Sequence, residues 1–237
     1  MIMLTIVLTG FLIGMRHALE ADHVAAVAAL ATGSRGVKQT VRLGLAWGIG
    51  HTLTIFAVGG IVLLLDAAVP ERIAAALESV VGIMLIILGA GVLRRMIRDR
   101  VHFHRHRHGR MVHFHAHSHA GEGDHAGSVH AHRHAGALTR RALLVGTVHG
   151  LAGSAALVLL TLGGIGSAKF GFAYMALFGL GSLLGMAALS GTIAIPLRLT
   201  SLRLTWAYNG LTAGLGLVSI GIGAGLLFEQ LPLIGVS

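Results

Sequence analysis

The chain has 237 residues, of which 54% are hydrophobic and only 11% are charged, and its mean hydropathy is +0.80. No soluble domain of this size needs so much apolar surface, so the composition excludes a water-soluble enzyme and indicates a membrane protein. Cysteine is absent, which excludes disulfides, thiolate metal ligands and cysteine nucleophiles. The formal charge of +9 lies in short connections between apolar segments; these basic residues are interpreted as topology determinants, and no nucleic-acid partner is expected.

Six apolar segments are long enough, at about 20 residues each, to cross a lipid bilayer as helices. They run from about residues 3 to 32, 43 to 65, 73 to 97, 142 to 165, 170 to 197 and 204 to 228. At 1.5 Å per residue the first exceeds a hydrocarbon core of ~30 Å, so we expect it to be broken or strongly tilted. It lacks the basic start and apolar centre of a secretory signal, so we expect it to remain in the mature protein. The sequence predicts an all-α polytopic membrane protein with six transmembrane helices.

The charge of the connecting loops predicts the orientation of these helices. The loops after the first, third and fifth segments are basic, and their positive residues are Arg35, Lys38 and Arg42, then Arg94, Arg95, Arg98 and Arg100, then Arg198 and Arg203. Basic loops stay on the cytoplasmic side of a membrane. Both termini are therefore expected outside, in a multi-pass protein of the bacterial cytoplasmic (inner) membrane.

The two halves of the chain resemble each other. Gly14-x-x-His17-x-Leu19 returns as Gly146-x-x-His149-x-Leu151, and Gly48-x-Gly50-His51 returns, at nearly the same offset, as Gly179-x-Gly181-Ser182. With three spans per half, the copies must face opposite ways, as in transporters with alternating access. We expect two inverted three-helix repeats, residues 1–97 and 142–237, joined by residues 98–141.

A polar cluster interrupts the first apolar segment with Arg16, His17, Glu20, Asp22 and His23. Charge at that depth costs on the order of 2.5 to 3.5 kcal/mol per Arg, Lys or Asp, so it is usually functional. Two imidazoles and two carboxylates so close together predict a site for a divalent metal ion; the alternative is that the charged residues only pair with one another. On a regular helix His17, Glu20 and His23 share a face, and Asp22 joins them only if the helix unwinds.

Two further histidines, His51 and His149, lie within other apolar segments. A lone buried histidine in a membrane helix is more often a packing residue, but four of them together with carboxylates favour a metal site. The hydroxyls of Thr52, Ser154 and Ser182 are expected to bond helix carbonyls rather than an ion.

Twelve of the sixteen histidines crowd the connection between the halves: His102, His104, His106, His108, His113, His115, His117, His119, His125, His130, His132 and His134. The segment has no helical period and little to bury, so we expect a flexible cytoplasmic loop that binds Ni, Co, Zn or Cu as a secondary site. A merely soluble linker is the alternative, but a linker has no reason to prefer histidine.

The stretch Arg16-His17-Ala18-Leu19-Glu20-Ala21-Asp22-His23 resembles the signature helix of the nickel/cobalt transporter family, and the nine residues from Gly44 to Thr52 resemble its second motif. Val148–Ser154 looks like the shorter nickel-permease and urease-accessory branch. The resemblance implies a secondary transporter for Ni²⁺ or Co²⁺, without enzymatic activity or cofactor, in which His17, Asp22, His23 and His51 bind the ion. It departs from the longer permeases in having Glu20 where they usually have Asp, and six spans rather than eight.

Uptake is the expected direction, with a cytoplasmic nickel chaperone as partner. Efflux by a protein of the same superfamily and a membrane-anchored metal-storage or chaperone protein are the alternatives. An intramembrane metalloenzyme is disfavoured because no H-E-x-x-H motif occurs. Ligation requires neutral imidazole, so uptake is predicted to fall below a pH of about 6.5.

Overall fold

A computed structural model of the chain describes residues 2–34, 36–65, 69–98, 102–108, 111–117, 135–151, 168–203 and 205–235. Its elements are, in chain order, α1 (Ile2–His17), α2 (Ala21–Ala31), α3 (Val37–Leu65), α4 (Glu71–Arg98), β1 (His102–His108), β2 (Met111–His117), α5 (Ala135–Leu151), α6 (Ala168–Arg203) and α7 (Thr205–Ile234). The described part of the chain is thus helical apart from one two-stranded hairpin.

Four of the described helices, α3, α4, α6 and α7, are long and apolar enough to cross a membrane. The first apolar segment is broken, as the sequence predicts, into α1 and α2. In the fourth apolar segment the structure describes α5, whereas residues 152–167, and with them Ser154, lie outside the described residues. By length and composition, the described helices are those of a polytopic membrane protein.

Close backbone contacts determine how these helices pack. Helix α3 lies against both α5 and α6, α1 packs along α6, α4 packs along α7, and the short α2 contacts α4, α6 and α7. Glycines stand where two helices meet: a Cβ at Gly14 would overlap the backbone oxygen of Phe178, and a Cβ at Gly146 would overlap that of Trp47. Small residues at such crossings let membrane helices approach closely.

The largest buried side chains lie at the centre of the bundle. They include Trp47, Phe178, Leu85 and Met186, each at most 1% exposed. Large apolar side chains on the outer faces of the helices are exposed, among them Leu53, Leu64, Ile87, Leu144, Leu184 and Leu217. This distribution, with apolar residues both inside and outside, is that of a bundle surrounded by lipid.

The histidine-rich connection contains regular structure that the sequence analysis did not anticipate. Strands β1 and β2 pair antiparallel, in a register that runs from His102 opposite His117 to His108 opposite Met111. The expectation of a loop without regular structure is wrong for these residues, because alternation of histidine with other residues has the period of a β-strand. The segment indeed has no helical period, but this does not exclude the two-residue period of a β-strand.

Candidate metal site

The break between α1 and α2 positions the first part of the site. Helix α1 ends at His17, and Glu20 adopts an extended backbone (φ −64°, ψ 150°) before α2 begins at Ala21. Asp22 stands in the first turn of α2, and its Oδ1 accepts a hydrogen bond of 2.8 Å from the backbone N–H of His23. The N-terminus of a helix favours negative charge, so this is a stable place for a carboxylate. The unwinding that Asp22 needs to join the histidines is therefore present.

Four imidazoles from four helices meet at this break. The His23 ring centroid lies 4.3 Å from that of His17, 5.2 Å from that of His51 and 4.1 Å from that of His149. His17 is stacked on His51 at 5.4 Å, and His51 lies 5.7 Å from His149. Because His51 comes from the middle of α3 and His149 from the end of α5, distant parts of the sequence complete one cluster.

Two overlapping groups of these side chains have the spacing of metal ligands. One ligand atom from each of His17, His23 and His51 lies within 4.8 Å of the other two, and the same holds for Asp22, His23 and His149. His23 belongs to both groups. Imidazole nitrogens with one carboxylate suit borderline divalent ions such as Ni²⁺, Co²⁺, Zn²⁺ and Cu²⁺.

The carboxylates orient the imidazoles. Asp22 Oδ1 lies 2.9 Å from His23 Nδ1, and Asp22 Oδ2 lies 3.1 Å from His149 Nε2. Glu20 Oε2 lies 2.9 Å from His17 Nδ1, although the two atoms are not aligned for a hydrogen bond. Carboxylates that hold one imidazole nitrogen fix the ring and leave the other nitrogen for a metal.

Burial leaves several imidazole nitrogens without partners. His51 is fully buried and the other three histidines are at most 3% exposed. Among the described residues, both nitrogens of His51, Nε2 of His23 and Nδ1 of His149 have no hydrogen-bond partner. Unpaired buried polar atoms are rare and call for an explanation. A divalent ion between the rings would bind one nitrogen of each imidazole, and so would satisfy His23 Nε2, His149 Nδ1 and one of the two nitrogens of His51.

The six residues predicted for the site therefore come together, as a geometric fact, while metal binding by them stays a prediction. Asp22 and Glu20 have exposed fractions of 25% and 44%, so the carboxylates lie at the mouth of the cluster and the imidazoles inside. Of the predicted loop histidines, seven fall on β1 and β2. The remaining five, His119, His125, His130, His132 and His134, lie outside the described residues.

Two aromatic residues at the cluster were not predicted. The Trp47 ring lies 5.4 Å from both His23 and His149, and the Phe178 ring lies 5.3 Å from His17. A sequence signal for them exists, because Trp47 stands one helical turn before His51. Phe178 follows Trp47 in the chain at the same offset at which Ser182 follows His51, so the two aromatic residues occupy equivalent places in the predicted repeat.

Comparison with known proteins places the chain beside one curated relative. The urease accessory protein UreH of Bacillus sp. (strain TB-90) is 31% identical over 203 residues, which cover 85% of this chain and 82% of that protein. No family model matches the chain, and no solved structure does. The similarity extends over most of both proteins, and the part of the chain that it leaves out at either end is too short to reach His51 or His149.

Proposed function

This chain belongs to the nickel/cobalt transporter family, and we propose on that premise that it is a secondary transporter that carries Ni²⁺ or Co²⁺ into the cell across the bacterial cytoplasmic membrane. It is a transport or accessory protein and not an enzyme. The observation that carries the proposal is the meeting of His17, His23, His51 and His149 with Asp22 inside the helix bundle. The four buried imidazoles do not stabilise the fold by hydrogen bonds to one another, but their unpaired nitrogens together can bind a borderline divalent ion.

The described contacts support an arrangement as two inverted repeats. The contact between Gly14 and Phe178 has its counterpart in that between Gly146 and Trp47, because Gly146 is the repeat equivalent of Gly14 and Phe178 that of Trp47. Gly216 follows Gly82, and Gly223 follows Gly89, at one offset of 134 residues. The contact between Gly82 and Gly223 therefore has its counterpart in that between Gly216 and Gly89. Contacts that exchange the two halves are those of a pseudo-twofold axis, and inverted-repeat transporters bind substrate near such an axis.

The ion route follows from the exposure of the ligands. Glu20 and Asp22, the more exposed members, are proposed to receive the ion and strip part of its water shell. His23 belongs to both ligand groups, so it is proposed to pass the ion between the Asp22–His149 group and the His17–His51 group without releasing it. The histidine-rich segment 98–141 is proposed to lie on the cytoplasmic side, to bind the ion there and to deliver it to a cytoplasmic nickel chaperone.

The test is accumulation of radioactive Ni²⁺ by bacterial cells that express the intact chain, the His17→Ala variant or an empty vector. Accumulation above the vector control that disappears in the variant supports uptake through the cluster. Accumulation below the vector control that the variant restores would mean that the same site serves efflux. Equal accumulation in all three would contradict transport.

A further inference from the structure

A stripe of buried residues leads from the histidines toward the α2–α3 connection. On α3 it consists of Thr40, Gly44, Trp47 and His51, which recur every three or four residues and so share one face of the helix. On α6 it consists of Ser182, Met186 and Ser190, which recur every four residues and are all fully buried. A crevice between three helices runs beside these stripes; it is lined by Val27, Leu30 and Ala31 of α2, Thr40, Leu43, Gly44 and Trp47 of α3, and Ser190 of α6.

Two of the residues that line this crevice carry polar groups without partners. Within the described part of the chain, Trp47 Nε1 and Ser190 Oγ have no hydrogen-bond partner. Ser182 Oγ, on the same stripe, has none either, so the expectation that its hydroxyl bonds a helix carbonyl is wrong. Thr52, in contrast, donates to the carbonyl of Gly179 at 3.2 Å, as expected.

Other hydroxyls on the same helices donate hydrogen bonds to backbone carbonyls, as hydroxyls in helices usually do. Thr54 donates to the carbonyl of Gly50 at 2.9 Å, and Thr192, two residues from Ser190, donates to the carbonyl of Ala188 at 3.0 Å. Such bonds within one helix turn are available to any serine in a helix. A buried polar group without a hydrogen-bond partner is unfavourable, so Ser190 and Trp47 would gain from a conformation in which the crevice opens.

In this conformation the crevice is closed. Gly44 meets Ser190 so tightly that a Cβ at Gly44 would overlap the serine hydroxyl, and the space is too narrow for a water molecule. The Trp47 ring, 5.4 Å from the rings of His23 and His149, separates the histidines from the crevice. The contact that closes it joins a glycine to a side chain, so a small separation of α3 from α6 would open it.

We propose that this crevice is the closed inner half of the ion pathway, with Trp47 as the barrier below the histidines and Ser190 as a hydroxyl that contacts the hydrated ion when α6 moves away from α3. The inference rests on the proposed function. It explains the unpartnered groups, because an indole N–H donates to the water shell of a metal ion and a hydroxyl oxygen accepts from that water or contacts the ion. The opposite end of the cluster, at Glu20 and Asp22, is already exposed.

The chain has no cysteine, so a single introduced thiol reports water access at its own position. A membrane-impermeant methanethiosulfonate reagent reacts with the thiolate, which forms in water and is suppressed in apolar surroundings. The test uses Ser190→Cys in the full-length protein in membrane vesicles of both orientations, with and without Ni²⁺, and the mass increase is measured. Thr192→Cys is the matched control on the outer face of the same helix, and Lys38→Cys, an exposed position at the α2–α3 connection, identifies the membrane side.

Ser190→Cys is expected to react from the side at which Lys38→Cys reacts, at a rate that Ni²⁺ changes several-fold by opening the crevice or by binding the thiolate, while Thr192→Cys shows no such nickel effect. No reaction at Ser190→Cys in either vesicle orientation, with full reaction after denaturation, would overturn the route, as would reaction only from the opposite side. Uptake of Ni²⁺ by the unsubstituted chain separates the two proposals. If it transports nickel and Ser190→Cys stays unreactive, only the route fails; if it transports none, the proposed function fails.

Discussion

The molecule carries two populations of histidine that differ in almost every physical respect. Four lie at most 3% exposed among the helices and come from α1, α2, α3 and α5, and three of them contact Glu20 or Asp22. Twelve follow one another within residues 102–134, seven of them on the two strands of a hairpin. The first set owes its geometry to tertiary packing and the second to its own local sequence. Histidine density alone therefore does not locate the proposed metal site. A substitution in the first set is expected to abolish uptake, and one in the second to leave it nearly unchanged.

One alanine substitution in each population is expected to give the largest difference in Ni²⁺ uptake. His23→Ala removes the ligand shared by both candidate groups, and we expect Ni²⁺ uptake to fall to the level of the empty vector. His115→Ala, one of many exchangeable loop histidines, is expected to leave uptake unchanged. Radioactive nickel accumulation, normalised to the amount of protein in the membrane, measures both. Equal losses of Ni²⁺ uptake in the two variants would contradict different roles for the buried and the loop histidines.

The carboxylate that orients the imidazoles offers the next largest effect. Asp22→Asn keeps the shape of the side chain but loses the charge that holds His23 and His149. Changes of this kind typically cost 10- to 100-fold in metal affinity, so half-saturation of uptake is expected to shift to nickel concentrations about 10- to 100-fold higher. An unchanged concentration dependence would show that Asp22 does not act on the metal.

The close packing at the helix crossings predicts that larger residues there lower the stability of the protein without removing any candidate metal ligand. Gly14→Ala and Gly146→Ala each force a methyl group against a backbone carbonyl, and overpacking of this kind costs about 1–3 kcal/mol. Gly221→Ala is the matched control, because a Cβ there meets nothing within 4 Å. Thermal unfolding of the purified proteins in detergent should show lower midpoints for the first two variants and no such decrease for the control. Similar midpoints for all three would contradict the close contacts.

Removal of the twelve histidines within residues 102–134 is expected to have the smallest effect on Ni²⁺ uptake. A chain without residues 102–134 keeps all four buried histidines, so we expect it to retain most of its Ni²⁺ uptake, with an altered response to nickel concentration. Uptake into vesicles compared with the full chain measures this. Complete loss of uptake would favour the metal-storage or chaperone alternative, in which the loop carries the function.

Much of the candidate site was predictable from the sequence because its polar and charged residues stand within otherwise apolar segments. Arg16, Glu20 and Asp22 are costly inside a membrane, and the length of the first segment predicted the break that lets Asp22 contact His149. The repeat pointed to His149 through its equivalence with His17.

The rest depended on information that local sequence does not contain. Trp47 looks like any buried aromatic residue until packing places it against two imidazoles. A serine in a helix is expected to bond a helix carbonyl, but the Ser182 hydroxyl is buried without a hydrogen-bond partner. Residues 102–117 have no helical period, but histidine alternates there with other residues at the period of two that a β-strand has, and that alternation is what the hairpin follows.

The most direct test of the central claim, that the transported ion binds the buried histidines, is nickel K-edge X-ray absorption of the purified chain lacking residues 102–134, with and without the further substitution His51→Ala. We expect scattering from several imidazoles in the shortened chain and from one imidazole fewer, with weaker binding, in the His51→Ala variant. A shell of water and carboxylate oxygens alone, or a spectrum that His51→Ala leaves unchanged, would contradict it.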